Sequence, residues 1–208
     1  MPSKVIQHNN LRHFFQESVK QALKNQHLQA QEYTIVYLVN LLTSFSRSEN
    51  LFEIEPTSGG LALKPLAGFY KDAINAGSDF ERDLALQRMG DIALFISGIF
   101  SQSLQRKAVD IDYYVNMGGH AYSYLAEVKQ RKLNGAALGE IFTELADKFV
   151  GFVDVLGEVG EGMQAPSDTG LLRLYEVWVR TGSRRAQNQL LKQGLQVSMD
   201  QGFLNKRH

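Results

Sequence analysis

Asp91, Tyr113, Tyr114, His120, Tyr122 and Tyr124 are the side chains in the middle of the chain best suited to chemistry. Asp91 stands in a run of helical period that is otherwise almost wholly apolar, RMGDIALFISGIF. Leu84, Arg88, Phe95 and Gly98 share its side of a helix, so Asp91 is expected to be buried at least in part. A buried carboxylate needs a cation or several donors, or it holds its proton. Arg88 lies one turn before it, and Tyr113, Tyr114 or His120 are expected to reach it from the next helix. Tyr113, His120, Tyr124 and Glu127 follow at steps of 7, 4 and 3, which puts all four on one helical face. A tyrosine packs its ring and bonds its hydroxyl, which suits the wall of a small-ligand pocket. Asp91, Tyr113, His120 and Tyr124 are therefore the candidate ligand-binding residues, with Asp91 as a base or orienting acid. The competing reading is a hydrogen-bond node that fixes helix register, and the residue types favour it. Gly90, Gly98, Gly118 and Gly119 point the same way, because glycines inside helices cost stability unless a neighbour crosses closely.

Other chemistries are excluded or left without support. The chain has no cysteine, which removes thiolate catalysis, disulfides and cysteine-ligated zinc. No Glu-x-x-His, His-x-x-x-His or His-Glu-x-x-His pattern occurs, so neither a metal nor another cofactor is expected. There is no Gly-x-Ser-x-Gly elbow and no phosphate loop ending in Gly-Lys-Ser/Thr. Glu140, Glu144 and Asp147 form an acidic stripe, read as a solvated helix face. No catalytic residue is assigned.

The elements that must position these side chains are helices. Steps of three and four residues over 11–23 predict a first helix, capped by Asn9 or Asn10 and ending near Gln26. A second runs over 29–45 and buries Ile35, Leu38, Val39, Leu42 and Phe45. A short helix is predicted over 64–76, and Ser78 or Asp79 caps a long one over 80–104 that is apolar all round from 92 to 100. Further helices are predicted over 111–130 and 136–159, the latter with Leu138 on its buried face, and NLFEIEP is the one strand candidate. The expected fold is all-α, an irregular bundle of seven to eight helices around the 80–104 helix. Residues 1–165 form the bundle, and 166–208 a C-terminal helical pair and tail packed on the same domain.

Charge is segregated within a chain of zero formal net charge, with 22 basic and 22 acidic residues. Acids dominate from Glu140 to Asp168, and bases from Leu171 onward. The segment LYEVWVRTGSRRAQNQLLKQGL reads as helix, turn, helix, and Arg173, Trp178, Arg180, Arg184 and Arg185 are candidate interaction residues. A DNA-binding regulator acting through this segment is the lesser reading, because the chain has no basic surplus.

The run GDIALFISGIFSQSLQRKAVDIDYYVNMGGHAYSYLA resembles a family of bacterial all-helical proteins with no known activity. The resemblance is carried by Gly90, Asp91, Phe95, Gly98, Phe100, Asp110, Tyr113, Tyr114, Gly118, Ala121 and Tyr122. It implies a bacterial origin and a helical fold, and no reaction. The N-terminus shows no apolar signal segment, and the apolar run 92–100 is shorter than the roughly 20 residues a membrane helix needs. The expectation is a cytoplasmic, non-catalytic interaction or regulatory protein, a homodimer or the partner of another protein. A small-ligand-binding protein or enzyme, with its pocket between the 80–104 and 111–130 helices, is the alternative.

Overall fold

The computed structural model describes residues 3–51, 53–54, 61–100, 111–132, 135–162 and 190–191. It is an all-α multi-helix bundle. In chain order the elements are α1 (Ser3–Asn25), α2 (Glu32–Phe45), α3 (Ser48–Leu51), β1 (Glu53–Ile54), β2 (Leu61–Ala62), α4 (Leu66–Asn75), α5 (Asp79–Ile99), α6 (Ile111–Gln130), α7 (Ala136–Asp147) and α8 (Phe149–Gly162). The two strands form a minimal antiparallel ladder, Glu53 opposite Ala62 and Ile54 opposite Leu61.

Helix α5 is the axis of the fold. Ser78 caps it by accepting from the Glu81 N–H at 3.2 Å, while the Glu81 carboxylate reaches back to the Gly77 N–H at 2.9 Å. This reciprocal arrangement satisfies two donors that a helix start leaves open. From Ile92 to Phe100 every residue is buried, so the all-apolar stretch is a core helix. It packs against α4, α6 and α8. Two crossings depend on missing side chains. A Cβ at Gly98 would lie 2.5 Å from Leu156 Cβ, and one at Gly118 would lie 2.5 Å from Phe149 Cζ and 2.7 Å from Ala93 Cβ. Gly119, by contrast, has nothing within 4 Å, so the close crossing uses only the first glycine of that pair.

Several boundaries differ from the sequence reading. Helix α1 begins at Ser3, so Asn9 and Asn10 are interior residues and not caps. Asparagine lowers helix propensity only modestly, and no proline or glycine lies between Ser3 and Asn25 to stop the helix. The helix ends at Asn25, close to the expected Gln26, and the chain turns at His27, whose φ of 51° is left-handed, with the Leu28 N–H bonding the Leu23 carbonyl at 3.0 Å. The predicted 136–159 helix is bent at Lys148 into α7 and α8, with no glycine or proline at the break. There Lys148 Nζ bonds both the Glu144 carboxylate at 2.8 Å and the Gln29 carbonyl at 2.9 Å. Leu138, in the first turn of α7, is exposed. The predicted extension of α5 to Leu104 and the C-terminal helical pair lie outside the described residues, apart from Leu190 and Leu191.

Candidate functional site

Three helices converge on the Asp91 carboxylate. Tyr37 of α2 donates its hydroxyl to Oδ1 at 2.6 Å, and Tyr122 of α6 donates to the same oxygen at 2.7 Å. Gln87, one turn before Asp91, donates its amide to the Tyr37 oxygen at 3.1 Å. Gly90 makes the second bond possible. A Cβ there would lie 2.7 Å from Tyr122 Cε1, so the glycine leaves the slot through which the Tyr122 ring crosses α5. Tyr122 is fully buried, stacked on Phe142 at 5.7 Å and tilted against Phe149 at 6.0 Å. Phe142 also meets the Tyr37 ring edge-on at 5.9 Å.

The two oxygens of Asp91 differ. Oδ1 takes both phenols, whereas Oδ2 accepts no hydrogen bond among the described residues. Asp91 nonetheless keeps part of its surface open to solvent, as do Tyr37, Gln87 and Arg88 beside it. Tyr122 is buried beneath the carboxylate, and partly exposed polar side chains surround it. Burial raises the Asp91 carboxyl from 3.8 to about 6, against the opposing pull of the two phenol hydrogen bonds and the Arg88 charge. Arg88 does not close the carboxylate; its guanidinium lies 4.8 Å over the Phe45 ring. Both phenols are pushed well above their ordinary value, by burial first and by the Asp91 charge second, so they stay protonated donors. Chemically the site is a proton acceptor near neutral pH with one oxygen held and one available.

The candidate residues are not brought together. Tyr113, His120 and Tyr124 lie on the far side of α6 from Tyr122, about 180–200° around the helix at 3.6 residues per turn. Tyr113 is 36% exposed and rests edge-on against Tyr114, their centroids 5.6 Å apart. His120 is exposed, with Nδ1 2.7 Å from the Asn116 carbonyl of its own helix. Tyr124 is 38% exposed and sits beside Arg82. The helical spacing that grouped these three is correct, but that face points away from Asp91. Tyr37 and Gln87 were missed. A tyrosine inside the apolar run TIVYLV is the signal that could have raised Tyr37.

Two further carboxylates join helices. Glu144, assigned to a solvated stripe, is buried at 7% exposure. Its oxygens take the Lys148 ammonium at 2.8 Å and the Gln31 N–H at 3.0 and 3.3 Å, at the start of α2. Burial opposes its charge, yet Lys148, the neighbouring Thr34 and the Gln31 N–H outweigh that cost and lower its pKa. Asp83 of α5 is buried against Lys129 at 2.7 Å and Lys132 at 3.6 Å, and its Oδ1 has no hydrogen-bond partner among the described residues. Among the described residues no cluster of three or more histidines and carboxylates could hold a metal, and no helix is long and apolar enough to cross a membrane. Arg173, Trp178, Arg180, Arg184 and Arg185 lie outside the described residues.

No family model matches this chain. No curated protein and no solved structure matches it either.

Proposed function

We propose that the protein is a non-catalytic, cytoplasmic interaction protein that acts as a homodimer. One observation carries this reading. The α4–α5 hairpin leaves four large apolar side chains in water: Tyr70 at 51%, Ile74 at 64%, Phe80 at 74% and Leu84 at 56% exposure. Each pair is spaced i, i+4 on its helix, so each forms one ridge. Single exposed apolar residues need no explanation, but two ridges on consecutive helices mark a surface suited to a partner. Burying each such side chain contributes roughly 1.5–3 kcal/mol.

The charge pattern supports a second copy as that partner. An acid-rich stretch and a base-rich stretch within one neutral chain complement each other when two copies meet about a twofold axis. Light scattering after size exclusion at tens of micromolar tests the reading. The expected result is a dimer that becomes a monomer in Phe80→Ser/Leu84→Ser with unchanged helical circular dichroism. A wild-type chain that is strictly monomeric at that concentration overturns it.

A further inference from the structure

Asp91 lies at the inner end of a stripe that is open to water. On α5, Phe80, Leu84, Gln87 and Asp91 fall within about 60° of one another around the axis at 3.6 residues per turn. Exposure declines along this stripe, from Phe80 and Leu84 through the partly exposed Gln87 and Asp91 to the buried Phe95. The partly exposed Asp91 thus lies at the inner end of an apolar ridge whose outer residues are in water. Its Oδ1 is saturated by two phenols, so an incoming group meets Oδ2. Such a group must donate a hydrogen bond, because an ionised carboxylate only accepts.

We propose that this site binds a small amphipathic primary amine, its ammonium donating to Asp91 Oδ2 and its apolar chain lying along Leu84. The seven helical steps from Leu84 to Asp91 rise about 10 Å, the reach of a chain of about six to eight carbons. Arg88 nearby opposes any cation through its field, so charge alone gains little here. The directed hydrogen bond to Oδ2 carries the selectivity, and a quaternary ammonium, which has no N–H, is excluded. This site shares Leu84 with the ridges of the proposed self-association, so light scattering on each variant accompanies the binding measurements and separates loss of the dimer from loss of the amine.

The test uses the full chain and three probes of equal chain length: hexylamine, hexanol and hexyltrimethylammonium. Binding is followed by thermal shift and titration calorimetry at a pH where Asp91 is ionised. Hexylamine is expected to raise the melting temperature in a saturable manner, with hexanol and hexyltrimethylammonium at least tenfold weaker. Asp91→Asn, which still offers an oxygen to both phenols and so should fold, is expected to weaken hexylamine at least tenfold. Leu84→Ser is expected to weaken hexylamine several-fold while leaving ethylamine unchanged. The proposal is overturned by no saturable hexylamine binding, by equal binding to Asp91→Asn, or by equal binding of the quaternary amine. It is also overturned if Asp91→Asn turns the dimer into a monomer, for then the donor is a side chain of the second copy.

Discussion

Replacing Asp91 by asparagine separates the cost of its charge from its role in packing. The side chain is nearly isosteric, and its amide oxygen still accepts from Tyr37 and Tyr122, while the amide nitrogen takes the place of the open Oδ2. Burial raises the carboxyl from 3.8 to about 6. The folded state thus holds its proton more tightly than the unfolded chain does. Below about pH 4 both states are protonated and the group is neutral in its effect. Between there and about pH 6 the unfolded chain has lost a proton that the folded state retains, so stability falls as pH rises. Above about pH 6 the loss is complete and constant. The difference is worth about 3 kcal/mol, trimmed to roughly 2–3 because water still reaches Asp91. Asp91→Asn removes this cost. Urea unfolding should find the variant about 2–3 kcal/mol more stable than wild type at about pH 8 and equal to it at about pH 4. Other titrating groups contribute alike to both proteins, so the difference curve isolates position 91. A gain of the same size at both ends, or a loss at about pH 8, refutes the reasoning, because either makes the effect one of packing and not of charge.

Removing a phenol acts on the same equilibrium in the other direction. Tyr37→Phe takes away a hydrogen bond that favours the carboxylate, so the Asp91 midpoint followed by carboxyl-carbon NMR should rise above that of wild type; a fall contradicts the geometry. Gly118→Ala should destabilise by about 1–3 kcal/mol through overpacking on Phe149 and Ala93, whereas Gly119→Ala should stabilise by up to about 1 kcal/mol. Thermal unfolding of the pair decides this, and the reverse order would mean that α5 and α6 cross elsewhere. Glu144→Gln should cost about 1–3 kcal/mol at neutral pH, since it loses the charge that holds Lys148 and the Gln31 N–H. The folded pKa of Glu144 is lowered, so its contribution is present above the ordinary glutamate range and is lost as pH falls. A penalty that persists undiminished in acid would show that the charge is not what matters.

The fold was legible where one face of a helix had a single task. Ile35, Leu38, Val39, Leu42 and Phe45 were read as the inner face of α2 from their spacing, and all are buried. Ile92 to Phe100 was read as a core helix because it has no polar side to expose. The bend at Lys148 was not legible, because no glycine or proline marks it and the Lys148 ammonium reaches beyond Glu144, one turn back, to the Gln29 carbonyl, which is distant in sequence. Glu144 was misread for the same reason. Its neighbours in sequence form a polar stripe, and only the start of α2 arriving in space makes burial tolerable. Asp91 was legible as a polar residue among apolar ones, but its partners were not. Periodicity gives the phase of residues within α6 and says nothing of which face turns toward α5. Gly90 carries that information, since only Tyr122 uses the gap it leaves.

Register alone does not account for a carboxylate at position 91. The packing needs an acceptor for two phenols beside a glycine slot, and an amide oxygen meets that need without ionising. The aspartate adds a charge that costs stability at neutral pH and an oxygen that the described residues leave without a donor. Among the described residues, Glu144 uses both oxygens, with Lys148 and Gln31, and Asp83 leaves one unbonded but meets two ammonium groups with the other, whereas Asp91 has only neutral phenols on Oδ1. Departures from the locally most stable choice concentrate at sites with a task beyond folding. At Asp91 the two oxygens are unequal: Oδ1 takes both phenols, and Oδ2 takes no donor among the described residues. The same carboxylate that weakens the bundle by its charge is thus a partly exposed group with an oxygen to which no described residue donates.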